Sequence, residues 1–120
     1  MNKEDYVSLE CAKLLKEKGF NEPVFSQYTK RGSVWICQEP ENFNESTGCF
    51  SRPTLYEAQK WLREKHNLFI EITYMHGNYY IYSILTIPTH DYIGIDCVRI
   101  NSDNYEQCLN AGIIEALKLI

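Results

Sequence analysis

The sequence predicts an α+β fold: an antiparallel sheet of about five strands with three helices, in the order α-β-β-α-β-β-β-α. Three observations carry this. Apolar residues recur at helical spacing in three separate segments, β-rich runs fall in two groups between them, and the connections inside each group are short and hold glycine or proline. Strands grouped in this way argue for antiparallel pairing, because a parallel sheet interleaves each strand with a helix. The 120 residues suffice for one domain, and 44% hydrophobic with 23% charged is ordinary for a folded chain. No repeat, low-complexity tract or linker divides residues 1–120.

The first helix runs to Lys18. Val7, Cys11, Leu14 and Leu15 share one face, and Asn2, Asp5 or Ser8 can each cap its start. Gly19 suits the left-handed position after a helix, with Phe20 placed to pack on Leu15. Two β-like runs follow, Val24 to Thr29 and Val34 to Gln38, joined through Lys30, Arg31, Gly32 and Ser33. Gly32 supplies the positive φ of a tight hairpin. Residues 39–53 read as a long polar loop without a pattern, longer than most connections.

Thr54 with Glu57 three residues on forms a capping box for the second helix, and Leu55, Ala58, Trp61 and Leu62 line its buried face. That helix stops near Lys65, His66 and Asn67. The period then becomes two: Leu68, Ile70, Ile72 and Tyr74 alternate with Phe69, Glu71 and Thr73. A turn at Met75–Asn78 leads into Tyr79 to Thr86. A last strand runs from Tyr92 to Ile100, with Ile93, Ile95 and Cys97 inward. The third helix is expected to start at Ser102 or Asp103 and to bury Tyr105, Cys108, Leu109, Gly112, Ile113, Ala116, Leu117 and Ile120.

Bulk properties narrow the function. A formal charge of −4 disfavours nucleic acid as a partner, since Lys and Arg supply most of that affinity by displacing counterions. No apolar run reaches the roughly 20 residues that span a bilayer, and Met1 to Asp5 opens no secretory signal, so a cytoplasmic location is expected. Five cysteines, odd in number and without a Cys-x-x-Cys pair, fit reducing surroundings. Cys11, Cys37, Cys97 and Cys108 fall on apolar phases. Cys49 falls in the polar loop.

Two segments, Ser8–Phe20 and Arg52–His66, carry a resemblance. The AKLLKEKGF helix end, the Pro-Thr-capped helix ending in WLREKH and an acidic start to the terminal helix are similar to a family of small proteins encoded by phages and integrated mobile elements of gut bacteria. Tyr105-Glu106-Gln107-Cys108 departs from the family's YEEA pattern there. The resemblance implies a bacterial or phage cytosolic setting. It assigns no activity and carries over no functional residues.

Candidate chemistry is sparse. Cys49 is the one nucleophile candidate, since it precedes the helix start at Thr54, but a catalytic thiol needs a base in reach and His66, His76 and His90 have no defined spacing to it. No Cys/His pairing suggests zinc, and no cofactor motif is present, so neither metal nor cofactor is expected. Lys13, Lys16, Lys30 and Arg31 form the one basic group, the basis for a weak nucleic-acid binder as the alternative reading. The Tyr79–Leu85 run is apolar or aromatic on both faces. Tyr79, Tyr80, Tyr82 and Tyr92 are therefore either core or an interaction surface, tyrosine being enriched where one end of a side chain is apolar and the other wet. The expectation is a non-catalytic protein-interaction or regulatory module, contacting an unknown protein or a second copy through the tyrosine hairpin. A cysteine-dependent enzyme is the third reading.

Overall fold

In the computed structural model, which describes residues 2–95 and 104–120, Ser8 opens the first helix. α1 spans Leu9–Glu17, and the Ser8 hydroxyl accepts the Cys11 N–H at 3.2 Å. Asn2 caps a single 3₁₀ turn at Lys3–Asp5 instead. At the other end Gly19 sits at φ +92°. The Phe20 N–H donates to the Leu15 carbonyl at 2.9 Å, and the Gly19 N–H donates to Lys16 at 3.2 Å. These are the paired bonds of a Schellman cap, and they swing Phe20 into the core.

β1 (Val24–Thr29) and β2 (Val34–Glu41) form the first hairpin. The Gly32 N–H donates to the Thr29 carbonyl and the Thr29 N–H to the Ser33 carbonyl, both at 2.8 Å. With Gly32 at φ +89°, this is a type I turn closed by a left-handed residue, the three-residue hairpin connection. β2 continues past Gln38 to Glu41, and its pairing with β1 is irregular: Ser26 faces Ile36, whereas Val24 faces Glu41.

The expected structureless stretch at 39–53 is corrected by the structure. It holds the end of β2, a 3₁₀ turn at Phe43–Glu45 and a short third strand, β3 (Cys49–Ser51). Its order comes from polar side chains, which hydropathy does not register. Asn42 Oδ1 accepts the Asn44 N–H, Asn44 Oδ1 accepts the Ser51 N–H at 2.8 Å, and Asn44 Nδ2 donates to the Phe20 carbonyl at 2.8 Å. This wiring buries Phe43. Cys49 accordingly lies in a strand and not in a loop.

α2 (Leu55–His66) begins with the expected reciprocal box between Thr54 and Glu57 and ends at Asn67 in the left-handed region. β4 (Leu68–Met75) and β5 (Tyr79–Thr86) then pair in continuous register from Leu68 opposite Thr86 to Met75 opposite Tyr79. β6 (Tyr92–Ile95) pairs with β5. The expected strand beyond Ile95, with Cys97, lies outside the described residues. α3 (Tyr105–Lys118) is capped by Asn104, whose side chain accepts the Gln107 N–H at 3.0 Å. Ser102 and Asp103 also lie outside the described residues.

The described strands number six, not five, and form two antiparallel three-stranded sheets, β2-β1-β3 and β4-β5-β6. α1 packs on β3 and α3, α2 on β4, and α3 on β4 and β5, so the helices tie the sheets into one buried cluster from Val7 to Leu117. Three inward assignments are corrected. Ile93 and Ile95 are exposed, because Gly94 pairs with Ile84 and takes the inner position. A Cβ on Gly94 would stand 2.9 Å from Ile84 Cδ1. Tyr105, in the first turn of α3, is exposed, whereas Ile120 is half-buried and packs against the core as expected.

Candidate interaction surface

The tyrosine hairpin is covered on one side by helices. Ile70, Ile72 and Tyr74 of β4 share a face with Ile84, Tyr82 and Tyr80 of β5, pair by pair. α3 lies against that face so closely that a Cβ on Gly112 would meet Ile70 Cγ2 at 2.9 Å and Tyr82 Cβ at 3.1 Å. Tyr82 packs against the core, and Tyr79, Tyr80 and Tyr82 are all half-buried. The Tyr80 ring lies 5.2 Å from Tyr74 and 5.5 Å from Tyr105. Tyr92, the first residue of β6, is exposed and stands edge-on to His90 at 5.6 Å.

The larger apolar exposure lies on the first hairpin, which sequence reasoning did not single out. Val34, Trp35 and Ile36 are 45%, 62% and 75% exposed, and Phe25 on β1 is exposed beside them. β2 is an edge strand among the described residues, and side chains on both faces of this run meet solvent. One signal for it was in the chain: three consecutive large apolar residues on a strand leave no polar face, and Lys30 and Arg31 stand before them while Glu39 and Glu41 stand after.

What holds this hairpin is a buried cation. Arg52 is 5% exposed, and its guanidinium lies 3.9 Å from the Tyr6 ring centre and 5.4 Å from that of Tyr28. Nη1 donates to Ser26 Oγ at 3.2 Å, and that hydroxyl donates to the Trp35 carbonyl at 3.0 Å. Two aromatic faces stabilise the charge where water cannot, and the planar guanidinium suits the stack as an ammonium would not. Tyr28 is itself tied by its hydroxyl to the Val7 carbonyl at 2.6 Å. The backbone at Trp35 is thus anchored to the interior while its side chain stays in solvent.

Half of the basic group, Lys13 and Lys16, gathers at β3. Lys16 Nζ donates to the Ser46 and Cys49 carbonyls at 2.7 and 2.8 Å, and it lies 5.2 Å from the Phe50 ring centre. Lys13 Nζ is 5.8 Å from the same ring. Lys30 and Arg31 are exposed at the turn of the first hairpin. Lys16 is therefore engaged in holding the β3 segment, which leaves three of the four cations facing solvent.

Cys49 has no catalytic surroundings among the described residues. Its sulfur donates to the Phe43 carbonyl at 3.2 Å, and no histidine hydrogen bond reaches it. His66 instead stacks edge-on to Trp61 at 4.8 Å. Burial pushes the Cys11 thiol far up, which makes it inert. No group of three or more His, Cys, Asp or Glu that could hold a metal gathers among the described residues. No helix among them is long and apolar enough to cross a membrane. Comparison of the chain with family models, with curated proteins and with solved structures returns no match.

Proposed function

We propose that the chain is a non-catalytic protein-interaction or regulatory module acting in the cytoplasm, and that its main contact surface is the β1/β2 hairpin. One observation carries this: a strand at the sheet edge among the described residues presents Val34, Trp35 and Ile36 to solvent, held in place by Arg52 through Ser26. Exposed aromatic and β-branched side chains on a braced strand supply apolar area at little ordering cost, the property that interface anchors share. The resemblance to small phage and mobile-element proteins suits an accessory role of this kind. Tyr92, exposed on the second sheet, is a secondary contact candidate.

A photo-crosslinking phenylalanine analogue at position 35 tests the reading. Irradiation in cells is expected to join the chain to protein, whether a second copy or another chain, and the same analogue at position 82 is expected to stay within the molecule. Nuclease-sensitive adducts at position 35, or none, would overturn the reading. The first of these results would favour the nucleic-acid alternative through Lys13, Lys16, Lys30 and Arg31.

A further inference from the structure

We propose that the open edge of β2 is completed by β2 of a second copy of this chain, running antiparallel about a two-fold axis at Trp35. This rests on the first hairpin being the contact surface, and it names the occupant.

The backbone phase comes first. The Thr29 N–H bonds the Ser33 carbonyl, so Thr29 and Ser33 face each other as a hydrogen-bonded pair. Antiparallel pairs alternate, so Gln27 and Trp35 form the next such pair, and Trp35 spends its N–H and carbonyl on β1. The N–H and carbonyl groups of Val34 and Ile36 then point away from β1, into solvent. A strand laid alongside would find two residues with free donors and acceptors at the correct spacing. Val34 opposite Ile36 of the copy, and the reverse, uses all of them and sets the two Trp35 side chains across from each other.

Edge strands are normally guarded at their centre by charge, proline or a bulge. Here Pro40 and the irregular pairing fall at the far end of β2, and the regularly paired start of the strand is Val34-Trp35-Ile36. The charges flank this run and differ in sign: Lys30 and Arg31 before it, Glu39 and Glu41 after it, all exposed. Only antiparallel self-pairing makes such a strand complementary to itself. The antiparallel arrangement that sets Val34 opposite Ile36 brings the basic turn, with Lys30 and Arg31, toward the acidic end of the copy's β2, with Glu39 and Glu41, twice over by symmetry. A parallel copy would set like charges together. The product is a continuous six-stranded sheet, β3-β1-β2 joined to its symmetry mate, in which Val34 and Ile36 gain cover on one face and Trp35 on the other.

Sedimentation velocity across micromolar to near-millimolar concentration tests the proposal. The wild-type chain is expected to pass from monomer to dimer. Ile36→Lys is expected to raise the dissociation constant at least about tenfold, by placing a charge within the paired run. Arg31→Glu and Glu39→Arg are each expected to raise it about two- to fivefold, the scale of an exposed ion pair, and the double variant to return it to within about twofold of wild type. All three positions are exposed, so far-UV circular dichroism is expected to be unchanged. A wild-type chain that stays monomeric overturns the second copy as occupant, and crosslinks from position 35 to another protein would then leave the contact surface itself standing. A dimer indifferent to Ile36→Lys, or charge variants that fail to rescue each other, overturns the placement at β2.

Discussion

The two hairpins are built from similar residues and end in opposite environments. β4/β5 carries Ile, Tyr and Leu in unbroken register, and α2 and α3 cover one face. β1/β2 carries Val, Trp, Ile and Phe, yet β2 lies at the margin of its sheet and most of these side chains stay in solvent. Hydrophobicity alone does not distinguish them. What differs is whether a helix arrives. α3 reaches β5 because Gly112 lets its backbone approach Ile70 and Tyr82, whereas α1 lies over β3 and leaves β2 overhanging.

The contrast is broken most directly by trimming one isoleucine from each hairpin. Ile84 is fully buried, and Ile84→Ala is expected to cost about 2–5 kcal/mol, through lost transfer energy and the cavity left behind. Ile36→Ala is expected to stay within about 0.5 kcal/mol under dilute conditions. Urea denaturation checks both, and equal costs would erase the distinction. Gly112→Val sharpens it next. Its branched side chain would collide with Ile70 and Tyr82, so a loss of about 1–3 kcal/mol is expected. The thermal transition reads that loss, and an unchanged transition would mean that α3 does not depend on the close approach.

A smaller effect tests the buried face of α1. Burial raises the Cys11 thiol far above its ordinary value of 9.0, so the folded state keeps this proton after the unfolded chain has lost it. The sign follows. The folded state binds more protons above pH 9, so stability falls as pH rises past that point, by at most about 1.4 kcal/mol per pH unit for this one group. Cys11→Ala is expected to flatten that alkaline slope relative to wild type, as measured by urea midpoints at a series of pH values. An unchanged slope would place its cause elsewhere.

The sequence made the helix ends legible because capping is local chemistry. Gly19 with Phe20 and Thr54 with Glu57 take the roles their neighbours dictate, and the buried faces of α1 and α2 follow from spacing alone. Strand orientation was less legible. Ile93 and Ile95 read as inward by hydropathy, yet register places Gly94 there, and register depends on Ile84, ten residues away. The 39–53 stretch was missed for another reason: Asn42, Asn44 and Ser51 order it through side-chain hydrogen bonds, which polar composition disguises as a loop. The candidate surface was the least legible. Val34, Trp35 and Ile36 resemble core residues, and only the tertiary arrangement, with β2 outermost among the described strands, shows them exposed.

Backbone amide exchange by NMR, followed at rising protein concentration, tests the central claim at the atoms that define it. The Val34 and Ile36 amides are expected to exchange freely in dilute protein and to gain protection as concentration rises, while Trp35, already bonded to β1, changes little. Amides of Val34 and Ile36 that exchange at the same open rate at every concentration would contradict the pairing of β2 with its copy.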